Sequence, residues 1–120
     1  MARNQRNDTS TRLPQGNRAI LDVRKLADYC LSPSHPRGRH KARVFRDVLG
    51  IGRTEARWLR DLLLEAARSG QAVHITTDIW GSRWRLDATI RRNEKSAVVR
   101  TIWIERTGEE VPRFVTCWVL

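Results

Sequence analysis

The feature that most constrains this chain is a change of hydrophobic period at Gly70. Before it, apolar residues recur every three or four positions; after it, they alternate with polar ones. A three-and-four spacing gathers apolar side chains along one face of a helix, whereas alternation gathers them on one face of a strand. The order predicts an α+β domain: about three N-terminal helices followed by a four-stranded antiparallel β-meander.

Ile20, Val23, Leu26, Ala27 and Cys30 mark a first helix over Ala19–Leu31. Ser32-Pro33 stops it, because the residue before proline is pushed out of the helical region. A second helix runs over Lys41–Leu49, with Ala42, Phe45, Val48 and Leu49 inward, and Gly50 and Gly52 break it. The third spans Glu55–Ser69, capped by Thr54 and Gly70, with Trp58, Leu62, Leu63 and Ala66 inward. Strands follow at Ala72–Thr77, Arg83–Ile90, Ala97–Glu105 and Pro112–Val119. Residues 1–17 show no periodicity and read as a flexible basic tail, leaving 18–120 as a single domain.

Charge narrows the partner. The net charge is +10, and Arg37, Arg39, Lys41 and Arg43 crowd eight residues together with His40. Such a block predicts a polyanionic partner such as RNA, bound largely through counterion release. No stretch approaches the roughly 18 apolar residues of a membrane span. Cys30 and Cys117 form no CxxC pair and read as reduced, partly buried thiols of a cytoplasmic protein.

Enzyme classes with strong signatures are excluded. The chain carries no GxSxG, HExxH, P-loop or GxGxxG pattern, and Asp78, Asp87, Glu105, Glu109 and Glu110 lack metal-ligand spacing. Neither a metal nor another cofactor is expected, so phosphate chemistry here would fall to His, Lys, Arg and a hydroxyl. The densest block, Ser32 to Arg43, enters a helix near Lys41, where backbone N–H groups favour phosphate. His35 is the candidate acid or base, with Lys41 and Arg43 as the phosphate clamp. Its bland alternative is a proline-rigidified loop with solvated arginines. Arg113 and Thr116 are candidates from the last strand, although their odd spacing brings them to one face only across a bulge or at the strand end. Arg37, Arg39, His40, Arg100 and Trp103 are candidate nucleic-acid contacts; Trp80, Trp103 or Trp118 offers a surface for stacking a base, against the alternative that these rings pack in the core.

The run Lys25-Leu26, Tyr29, Leu31-Ser32-Pro33, His35-Pro36, Gly38, Lys41-Ala42-Arg43, Phe45 and Leu49-Gly50 resembles an uncharacterised bacterial domain family, domain of unknown function 6883. Thr101-Ile102-Trp103-Ile104 and Pro112-Arg113-Phe114-Val115-Thr116 extend the resemblance over roughly residues 13–118. Cys117-Trp118 stands where the family usually ends in a tyrosine-proline step. Members stand beside a small partner gene or close larger proteins, an arrangement similar to toxin–antitoxin and polymorphic toxin systems. The helices-then-sheet order is also similar to the barnase/EndoU/colicin/RelE toxin ribonucleases. Together these resemblances imply a metal-independent endoribonuclease toxin restrained by a small cognate antitoxin or immunity protein. The alternatives are a non-catalytic RNA- or DNA-binding module, or a protein-interaction module with an acidic partner.

Overall fold

A computed structural model describes residues 12–120. Helices precede strands, and the four strands pair antiparallel in the order β1-β2-β3-β4. They are β1 (Ala72–Asp78), β2 (Gly81–Arg92), β3 (Lys95–Arg106) and β4 (Arg113–Val119). The expected α+β meander is the observed fold. Asn93 makes the tight β2–β3 turn possible by adopting φ 56°, a left-handed conformation that asparagine tolerates.

The first helix is shorter than its periodicity suggests. Ile20 is drawn into the sheet: its N–H donates to Pro112 O, its carbonyl accepts from Phe114 N, and it bridges Arg113 in parallel. Helix α1 therefore starts at Val23, where the Asp22 carboxylate caps it by accepting from Arg24 N at 2.9 Å. After Lys25 the helix widens into a π turn, Leu26–Cys30, in which Leu31 N–H reaches back to Leu26 O.

Helix α2 (Arg39–Leu49) ends at Gly50, whose φ of 69° favours glycine. Helix α3 (Ala56–Ser69) follows a 3-10 turn, Arg53–Glu55. Thr54 is not its cap. The Thr54 hydroxyl donates to Glu55, and the Glu55 carboxylate reaches back to Gly52 N–H at 2.7 Å. The buried row of α3 is Ala56, Leu59, Leu63 and Ala67, one residue on from most of the expected row. Both rows are apolar, so spacing alone does not choose between them. Leu62 is instead exposed, and Trp58 lies at the flank beneath the Arg92 guanidinium.

One core joins helices to sheet. Leu26, Phe45, Leu59 and Leu63 meet Leu86, Val99, Trp103 and Phe114, all with essentially no exposure. Each large apolar side chain so buried contributes on the order of 2 kcal/mol. The start of the domain lies earlier than residue 18, since Leu13 is buried in this core and Arg12 bridges Gln71. Residues 1–11 of the expected tail lie outside the described residues. Among the described residues, no helix is long and apolar enough to cross a membrane.

Candidate functional site

The loop between the π turn and α2 is shaped by two contacts. Gly38 lies so close to the Tyr29 backbone that a Cβ there would sit 2.1 Å from Tyr29 O. Only glycine fits that approach. Next to it, the His35 ring acts as a cap, with Nδ1 accepting from Arg37 N at 3.0 Å and Gly38 N at 2.9 Å. His35 O accepts from Arg39 N, which joins the loop to the first turn of α2. A ring nitrogen that accepts two backbone N–H groups holds its lone pair there, so the proton of the neutral imidazole belongs on Nε2. In this arrangement Nε2 is a donor.

The half-buried ring packs edge-on against Tyr29, with centroids 4.7 Å apart. Tyr29 in turn meets Lys41, whose Nζ donates to the phenol oxygen at 3.1 Å and stands 4.9 Å from the ring centroid. The same ammonium donates to Thr116 Oγ1 at 3.2 Å and lies 5.6 Å from the Trp118 ring. His35, Tyr29, Lys41 and Thr116 are thus linked side chain to side chain, from a loop, a π turn, a helix and a strand.

A bulge brings Thr116 into this cluster. Ile102 pairs with Thr116 but Trp103 pairs with Phe114, so Val115 has no partner in β3. Two thiols lie beneath. Cys30 Sγ is 3.8 Å from Thr116 Oγ1. The Cys30 thiol is pulled down to about 7, first by a hydrogen bond from Cys117, then by Thr116 and the Lys41 charge, against the opposing effect of burial. Burial and the adjacent Cys30 push the Cys117 thiol up.

Other expected residues are engaged in other contacts. Arg43 is two positions from Lys41, about 200° around a helix. It joins Arg39 and Arg46 along a separate groove of about 220 Å³ with Pro33 and Ala42. Arg43 therefore does not share a clamp with Lys41. The bulge brings Arg113 to the same face of β4 as Thr116, since they pair with Ile104 and Ile102. Arg113 nevertheless donates through Nε to Glu109 at 2.9 Å, and Arg100, opposite Trp118, is held bidentate by Asp87 across the β2–β3 pair. Both charges are compensated. Trp103 is fully buried, with its Nε1 donating to Thr101, so no face is left for a base. Arg37, Arg39 and His40 are exposed, and neither arginine has a carboxylate partner among the described residues.

The model of the family described as Domain of unknown function (DUF6883) matches residues 12–120. The chain belongs to this family. No curated protein and no solved structure matches it. Within this DUF6883 domain, Tyr29 and Trp118 are the site residues that periodicity alone does not single out. Tyr29 depends on the π turn, which leaves no mark in apolar spacing, and Trp118 depends on the packing of α2 against the β4 edge.

Proposed function

We propose that this domain is a metal-independent endoribonuclease of toxin type. It cleaves RNA by attack of a ribose 2′-hydroxyl on the neighbouring phosphorus, leaving a 2′,3′-cyclic phosphate and a free 5′-hydroxyl. The observation that carries this reading is the direct linkage of His35, Tyr29, Lys41 and Thr116. Lys41 gives two N–H groups to Tyr29 and Thr116 and keeps a third for a non-bridging phosphate oxygen, where charge builds up in the transition state. Tyr29 accepts from Lys41 and so keeps its own proton for the departing 5′-oxygen, while the 2′-hydroxyl gives its proton to solvent water, which returns one to the Tyr29 phenolate after cleavage. His35 contributes Nε2–H as a further donor to the phosphate. The exposed arginines of the loop and α2 steer the strand to this point.

The toxin role, a small cognate antitoxin or immunity protein as partner, and a cytoplasmic place of action extend the resemblance to toxin ribonucleases. Purified protein incubated with single-stranded RNA in EDTA should yield fragments ending in cyclic phosphate, and its expression should arrest bacterial growth. Intact RNA after prolonged incubation at micromolar protein would overturn the proposal.

A second reading, a non-catalytic nucleic-acid-binding module, is favoured by the His35 ring, whose Nδ1 lone pair is engaged by the backbone. It predicts binding that weakens steeply with salt and no product under any condition.

A further inference from the structure

Between α2 and β4 lies a cleft of about 480 Å³ lined by His40, Lys41, Val44, Trp118 and Val119. Val44 and Val119 give it apolar walls, Trp118 adds a half-buried indole, and its polar groups are an imidazole and an ammonium without any carboxylate. Two other tryptophans spend their indole N–H on protein, Trp84 on Glu105 and Trp103 on Thr101. Trp118 Nε1 donates to no described residue, although its ring is half-buried. An apolar slot with an unused donor and a cation at one end fits a flat ring that carries polar edges and a tethered anion.

We infer that this cleft is a subsite for one unpaired nucleobase, stacked on Trp118 with its adjacent phosphate on Lys41. The inference deepens the ribonuclease reading and rests on its premise that RNA reaches Lys41. Stacking needs a base freed from its neighbours, so the substrate is single-stranded RNA or a loop rather than a duplex. Trp118 is the stacking platform that the buried Trp103 cannot be. An apolar peptide side chain could fill the walls but would leave the ammonium without an anion, which makes it the weaker occupant.

The test uses a labelled 2′-O-methyl pentanucleotide, which cannot be cleaved, and versions of it with a single abasic position. Affinities are read by fluorescence anisotropy at one salt concentration for wild type, Trp118→Phe and Trp118→Leu. One abasic position should weaken binding about tenfold in wild type and in Trp118→Phe, and should make no difference in Trp118→Leu. Retention of the aromatic effect in Trp118→Phe separates loss of stacking from loss of fold. The same tenfold loss in Trp118→Leu, or no abasic effect in wild type, would overturn the inference. A protein that shows the base effect yet cuts no RNA would sink the catalytic reading alone. One that cuts RNA without the base effect would sink the subsite alone.

Discussion

Replacing Gly38 with alanine puts a methyl carbon 2.1 Å from Tyr29 O, 2.8 Å from Tyr29 C and 3.0 Å from Tyr29 Cδ1. The backbone at Gly38 is ordinary, with φ −85°, so the cost is steric rather than conformational. Two of the three contacts are with backbone, which cannot rotate aside, so the loop must lift off Tyr29. Overpacking of this kind costs about 2 kcal/mol. Lifting the loop also weakens the bonds from Arg37 N and Gly38 N into His35 Nδ1, for about 1 kcal/mol more. At about 4 °C per kcal/mol for a domain of this size, the sum of about 3 kcal/mol lowers Tm by about 12 °C. Gly108→Ala is the control: nothing lies within 4 Å there, and only the φ of 87° opposes a side chain. It should cost about 1 kcal/mol. Thermal unfolding followed by circular dichroism measures both. A Gly38→Ala protein melting within about 2 °C of wild type would refute the claim that this contact shapes the loop.

Leu63→Ala should cost about 3 kcal/mol, because Leu63 is fully buried, whereas Leu62→Ala should cost less than about 1 kcal/mol. Denaturant titration decides which row of α3 faces the sheet, and equal losses would contradict the assignment. Thiolate absorbance should show a step centred near pH 7 that disappears in Cys30→Ser. Because the folded state lowers this thiol, its contribution to stability is fully present above the ordinary thiol range and is lost as pH falls through about 7. Wild type should therefore gain on Cys30→Ser between pH 7 and pH 9. A step centred near pH 9 instead would contradict the packing of Cys30 against Cys117, Thr116 and the Lys41 charge.

The alternation of Leu86, Ala88 and Ile90 and the three-and-four spacing of α2 and α3 made the architecture legible, because each pattern suits only one backbone geometry. The His35–Lys41 neighbourhood was legible too, since the two residues are close in the chain. Three things were not. The first helix loses its opening turn to a pairing between Ile20 and β4 that spans the whole domain. The bulge at Val115 depends on register, which a single strand does not encode. Arg43 and Trp103 are set apart by helix rotation and core packing, and Arg100 and Arg113 are neutralised by carboxylate partners, none of which residue type reveals.

The most direct measurement compares RNA cleavage in EDTA by wild type, Lys41→Met and Arg43→Met at matched saturation with substrate. If Lys41 bonds the reacting phosphate and Arg43 only guides the strand, Lys41→Met should lose at least about 100-fold in kcat. Arg43→Met should keep kcat and lose only affinity, with a shallower salt dependence. Equal kcat for wild type and Lys41→Met, or loss of kcat in Arg43→Met alone, would contradict a site built on Lys41, Tyr29 and Thr116.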